Sequence, residues 1–151
     1  MFLSKSMPLY SFFLEPECTN FHSKNINHVN CIFRVLSANF SDTLVLFFED
    51  HISMVLWHTN QNLDPAYMKF LKAMKSLHSF ELYGVSLKKK TIEDMCELII
   101  HHCDVMYLKI HFQEDFCQPG KNQKLIGFIK EKYCDMFRLK NKILELDVLK
   151  K

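Results

Sequence analysis

The stretch with the most chemistry in it is "TIEDMCELIIHHCDVMYLKIHF", residues 91–112, where His101, His102 and Cys103 adjoin and Cys96 precedes them. Imidazole and thiolate are zinc ligands, and a single ion needs its donors converged within about 4 Å of one another. Residues 96 and 103, if both lie on a helix, are separated along its axis by about 10.5 Å. One metal does not span that distance. Adjacent histidines on a helix also point in different directions. The expectation is therefore no metal, two cysteines facing a core, and two histidines at a helix carboxy terminus, where a protonated imidazole complements the dipole.

Other reactive groups carry less. Cys117, in "DFCQPGKNQ", falls in a loop and is the thiol most open to solvent. A cysteine nucleophile needs a base within hydrogen-bond reach and donors for an oxyanion. His111 lies upstream, but no Gly-rich turn frames the pair. Glu93, Asp94 and Glu97 could do acid–base work, yet acidic residues early in a helix are ordinary partners of its dipole. "GKNQK" has one glycine and makes no phosphate cradle. No catalytic signature and no cofactor motif emerge, and a non-enzymatic role is expected.

The totals bound the rest. A chain of 151 residues, 48% hydrophobic and 24% charged, fits one globular domain with a substantial core. Three Gly and four Pro are too few for a many-turned β-sandwich and favour helix–strand units. A net charge of +2 gives no reason to expect nucleic acid. No apolar run approaches the ~20 residues of a membrane span, and no membrane partner is expected. Six cysteines without close pairing favour a reduced, intracellular compartment, cytoplasmic or nuclear.

Positioning elements follow from periodicity. Four strand-like cores, "TLVLFF" (43–48), "SFELYG" (79–84), "MYLKIHF" (106–112) and "KILELDVL" (142–149), each hold an apolar-x-apolar pair: Leu44/Leu46, Phe80/Leu82, Leu108/Ile110 and Leu144/Leu146. Their second members are spaced by 36, 28 and 36 residues. A candidate helix precedes each strand. In "LDPAYMKFLKAMKSL", Asp64 caps and Pro65 fills the first turn, with Lys69, Lys72 and Lys75 on the wet side. In the next, Thr91 caps and Ile92, Met95, Cys96, Ile99 and Cys103 share a face. The last helix runs about 124–134. The expected organisation is a single domain, 1–151: an irregular segment over 1–24, then units of about 25–48, 64–84, 91–112 and 122–149. A competing arrangement is a compact α+β domain in which "VNCIFRVL", "TLVLFFED" and "ISMVLWHT" are strands and the last two form an antiparallel hairpin.

The order of helix, cysteine and aliphatic strand in "IEDMCELIIHHCDVMYLKIHF" resembles the leucine-rich repeat, in its cysteine-containing and ribonuclease-inhibitor-like variants. Cys103 matches the cysteine position, with Val105, Leu108 and Ile110 as the strand aliphatics. In the preceding unit Met74 or Lys75 stands near the cysteine position, and Gly84 and Phe112 stand near where an asparagine is expected. "LHSFELYGVSLKKKTIEDMCELI" is similar to the repeat-like carboxy-terminal regions of nematode F-box proteins, over residues about 64–149, although no F-box is visible. The resemblance implies a curved α/β stack of about four irregular helix–strand units with a parallel sheet, strands on one face and helices on the other, that binds protein partners. The F-box likeness adds capture of a substrate for ubiquitylation.

Alternation then assigns the strand residues opposite the core. Val45, Phe47, Glu81, Tyr83, Lys109, His111, Glu145 and Asp147 are the expected partner-binding positions, and Trp57 is a further interface candidate because tryptophan concentrates binding energy. Two other readings stay open: a small α+β enzyme or regulatory domain whose site is not located, and a fragment of a larger repeat protein, since "KILELDVLKK" leaves a sheet edge.

Overall fold

The computed structural model describes residues 9, 11–14, 26–42, 44, 46–50, 64–114 and 117–149. Strands and helices alternate: β1 (Ser11–Leu14), α1 (Ile26–Phe40), β2 (Leu46–Asp50), α2 (Asp64–Ala73), β3 (Ser79–Val85), α3 (Lys89–His102), β4 (Tyr107–Phe112), α4 (Lys121–Leu139) and β5 (Ile143–Val148). The strands form one open α/β sheet in chain order, β1-β2-β3-β4-β5, with every neighbouring pair parallel. α1 packs on α2, α2 on α3 and α3 on α4. Helices on opposite sides of a sheet could not touch in this way, so the four make one layer. Successive strand starts are tied by the same kind of backbone bond: Met106 and Tyr107 donate to the His78 carbonyl, and Ile143 to that of Met106.

Period-2 burial on the strands and period-3.6 burial on the helices meet at one core. Phe80 and Leu82, Leu108 and Ile110, and Leu146 are buried on the sheet's inner face, against Phe70, Leu71, Ile99, Ile129 and Phe137 from the helices. Phe33 of α1 stacks on Phe70 at 4.7 Å, and Tyr67 meets Phe80 edge-on at 6.1 Å. Two backbone devices set the strands' limits. Gly84, at φ 69°, sits at the bulge where the β3–β4 register shifts between Tyr83 and Val85, a conformation that glycine adopts without penalty. Asn141, at φ 55°, ends α4: its N–H donates to the Arg138 carbonyl at 3.0 Å, and the Lys142 N–H donates to that of Phe137 at 2.9 Å. This is the Schellman arrangement, and asparagine is among the few side chains that tolerate the left-handed turn it requires.

α3 begins at Lys89 without a cap of its own. Asp64, at the start of α2, supplies one: its carboxylate accepts the Lys88 N–H at 3.2 Å and the Thr91 hydroxyl. The expectation of Thr91 as the cap thus gives way to a contact in which Thr91 holds the residue that caps. α3's carboxy end is met in turn by the Lys142 ammonium, which donates to the Ile99 and Cys103 carbonyls.

Several expectations change. β1 lies within the segment expected to be irregular. "VNCIFRVL" falls in α1, so it is not a strand. The hairpin expected between "TLVLFFED" and "ISMVLWHT" falls partly on residues 52–59, outside the described residues; β2 itself pairs in parallel with β1 and with β3. The final helix extends to Lys121–Leu139. The spacing of the first two units also differs. Residue 46 pairs with 79, an offset of 33 where the sequence pattern gave 36. Leu44 is therefore the equivalent of Leu77 and Val105, all buried, and not of Phe80. An odd error in register exchanges the two faces of a strand.

Candidate interaction face

Among the described residues no helix covers the second face of β3–β5. Three rows cross it: Ser79, Tyr107 and Ile143; then Glu81, Lys109 and Glu145; then Tyr83, His111 and Asp147. Six of the nine partner-binding positions expected from sequence, Glu81, Tyr83, Lys109, His111, Glu145 and Asp147, are brought together here. Val45 and Trp57 lie outside the described residues. Phe47 is corrected: it is the register partner of Phe80, a core residue, while Phe48 and Asp50 are those of Glu81 and Tyr83. Tyr107 and Ser79 were missed, although the alternation that marks Lys109 and Glu81 extends to them two residues earlier.

Glu145 is the hub. Its carboxylate accepts the Tyr107 hydroxyl at 2.5 Å and pairs with the Lys109 ammonium at 3.1 Å. The Tyr107 hydrogen bond, followed by Lys109, holds the Glu145 carboxyl below its ordinary range. The same contact pushes the Tyr107 phenol up. Hydrogen bonds to Tyr83 and to Glu145 raise Lys109 well above the usual lysine range, so it is a fixed cation. Tyr83 and His111 stack across the strands with ring centroids 4.4 Å apart and planes 7° from parallel. His111 Nε2 is buried, 3.7 Å from Glu145 Oε1, and has no hydrogen-bond partner among the described residues. Glu81 accepts the Ser79 hydroxyl at 3.1 Å, and Asp147 accepts the Val148 N–H at 2.8 Å.

The reactive groups that drew attention in the sequence are engaged elsewhere. Cys96 is fully buried, and burial pushes its thiol up to about 12, which removes its nucleophilicity. Cys103 donates its thiol to the Leu71 carbonyl at 3.6 Å. Glu93 pairs with Lys132 at 2.8 Å, Asp94 with Lys90 at 2.7 Å, and Glu97 accepts the Tyr133 hydroxyl at 3.0 Å. Those carboxylates fasten helices. Cys117 is exposed.

No family model, curated protein or solved structure matches this chain. The geometry of the face therefore stands as the ground for a functional reading. Among the described residues, no helix is long and apolar enough to cross a membrane. What the face offers chemically is a rigid set of side chains on three hydrogen-bonded strands: a flat aromatic pair, a fixed ammonium and three carboxylates. Strands hold such groups more tightly than loops do, which suits recognition.

Proposed function

We propose that the chain is a non-enzymatic interaction scaffold that binds a protein partner on the helix-free face of β3–β5. In this reading the helix–strand units are a short leucine-rich-repeat-like stack, and the partner is a protein to be captured, as the likeness to F-box-associated repeats implies. The observation that carries it is the Tyr83–His111 stack set among Lys109, Glu145 and Asp147 on a face no described helix covers. Aromatic side chains with a polar handle supply contact area at low entropic cost and are enriched where proteins bind. The one-layer arrangement supports the stack, since it leaves one whole side of the sheet for a partner.

The test is a pull-down from native extract with the wild-type chain, the Y83A/H111A double variant and a helix-layer control, K69Q/K72Q. The partners held by wild type and control are expected to be lost from Y83A/H111A. An identical set in all three overturns the assignment of the binding face.

A further inference from the structure

One polar atom on the open face is left over. His111 Nε2 is buried and makes no hydrogen bond among the described residues. Buried polar atoms without a partner are rare in folded proteins, because nothing replaces the water that each gave up. Across from it is the Glu145 carboxylate on the neighbouring strand, with Oε1 3.7 Å away. That is too long for a hydrogen bond. It fits two acceptors facing each other, a ring nitrogen without its hydrogen and an anionic oxygen.

Both groups are held where they are by other contacts. Tyr83 stacks on the imidazole at 4.4 Å with the planes 7° apart, which fixes the plane of the ring. The Glu145 carboxylate is fixed through both oxygens, Oε2 by the Tyr107 hydroxyl at 2.5 Å and Oε1 by the Lys109 ammonium at 3.1 Å. A proton on Nε2 turns the contact from two opposed acceptors into a charge-assisted hydrogen bond, about 2.8 Å long, so the pair has about 1 Å to close. The Glu145 side chain is 43% exposed and that of His111 14%, so the carboxylate is the member with room to move.

The charged and titratable groups around the ring come from all three strands. Tyr83 and Asp147 are the register partners of His111 on β3 and β5, and Glu81 and Glu145 stand one row away on the same strands. Asp50 of β2 continues the row beyond Tyr83. On β4 itself Lys109 is bound to Glu145, with its Nζ 5.6 Å from the Tyr83 ring centroid, and Tyr107 is bound to Glu145 as well. Of these groups Glu145 is the one whose oxygen faces Nε2. Imidazole is the side chain that exchanges a proton near neutral pH. The Glu145 carboxyl, held below its ordinary range by Tyr107 first and Lys109 next, is still an anion when an imidazole takes its proton.

We infer that His111 and Glu145 form a proton-operated clasp between β4 and β5, open while the imidazole is neutral and closed by an Nε2–H···Oε1 bond when solvent supplies the proton. Closing it draws the carboxylate onto the ring edge, and through the stack it steadies Tyr83 as well. The aromatic pair of this face is therefore held more firmly in acid than at neutral pH. The clasp stands whether or not a protein binds the face, so it does not depend on the interaction reading above.

The test is a double-mutant cycle of H111F and E145Q in the full chain, with stability measured by urea titration at about pH 8 and at about pH 5.5, on either side of the usual imidazole range. Phenylalanine keeps a ring on Tyr83 and removes the nitrogen, and glutamine keeps an acceptor for Tyr107 and removes the charge. Effects of pH on other groups cancel in the cycle. The two residues are expected to be uncoupled at the higher pH, within about twofold in the folding equilibrium constant, and coupled about fivefold at the lower, the strength of a partly exposed ion pair. Nitrogen NMR of the wild-type ring is the second reading, and it needs no variant to fold. Nε2 is expected to carry no hydrogen at about pH 8 and to carry one at about pH 5.5. Equal coupling at both pH values, no coupling in acid, a hydrogen already on Nε2 at the higher pH or a bare Nε2 at the lower one overturns the inference.

Discussion

Replacing Asp64 with Ala should cost the fold about 3 kcal/mol. Asp64 is 7% exposed and serves two donors at once, the Lys88 N–H and the Thr91 hydroxyl. A hydrogen bond to a charged acceptor contributes roughly 1.5–3 kcal/mol, and a buried donor left unpaired costs about 1–3 kcal/mol. Thr91, itself 7% exposed, would be such a donor in D64A, and the start of α3 would lose its only side-chain acceptor among those described. The main-chain N–H of Lys88 reaches solvent more easily, so the sum falls near the middle of the range. For a chain of this size about 3 kcal/mol lowers the melting temperature by roughly 6–12 °C. Urea titration followed by far-UV circular dichroism measures it as a lower midpoint at unchanged slope. T91V should cost about 1–2 kcal/mol, and the double variant about as much as D64A alone, because both remove the same contact. A D64A midpoint within about 0.5 kcal/mol of wild type, or strictly additive variants, would refute the idea that Asp64 couples α2 to α3.

Two more outcomes follow from single positions. Gly127 lies inside α4, exposed, and a Cβ built there meets nothing within 4 Å, so G127A should stabilise by roughly 0.5–1 kcal/mol in the same titration; a loss of stability would mean that the helix needs glycine there. Glu145 has its carboxyl held below the ordinary value of 4.5 by Tyr107 first and Lys109 next. A depressed carboxyl contributes stability that is fully present above its unfolded value and drains away as pH falls through its folded one. The stability gap between wild type and E145Q should therefore narrow as the pH is lowered below about 4.5, and a gap that holds constant from neutral into acid contradicts the Tyr107–Glu145 contact.

Most of the strand positions were legible because alternation leaves a trace even in short strands: β3, β4 and β5 fall within a residue of the expected limits, and their exposed rows follow directly. The 28-residue offset between the second and third units held because Leu77 and Val105, Phe80 and Leu108, and Leu82 and Ile110 repeat in type as well as position. The first unit failed on the same logic. "TLVLFFED" is apolar at both phases, so pattern alone could not say whether Phe47 or Phe48 shares a row with Glu81. β1 was invisible for a related reason, since "SFFL" has no polar residue between its apolar ones. The capping of α3 was illegible in principle: its acceptor is 24 residues from Lys88, and sequence spacing reports only local caps. The role of Tyr107 was illegible for a similar reason, since it depends on a carboxylate 38 residues later.

The two faces of this sheet answer to different constraints, and Asp147 shows how far they separate. Inner-row residues such as Leu108 and Ile110 are fully buried, so a one-residue slip in their register moves apolar side chains into water. That constraint fixes the strands whatever stands on the opposite face. On β5, the N–H groups of Ile143 and Leu149 point inward to the Met106 and Phe112 carbonyls. Alternation then turns the Val148 N–H toward the outer edge, and the Asp147 carboxylate accepts it. An edge strand with open donors invites pairing with another chain, and a charged side chain folded over the donor discourages it. Asp147 thus blunts the sheet's edge with one oxygen and presents charge to the open face with the other. Asparagine would keep the first role and lose the second, which is why the edge places no demand on the sign of the face. At Asp147, therefore, the packing of the sheet requires an acceptor and leaves the sign of the charge open.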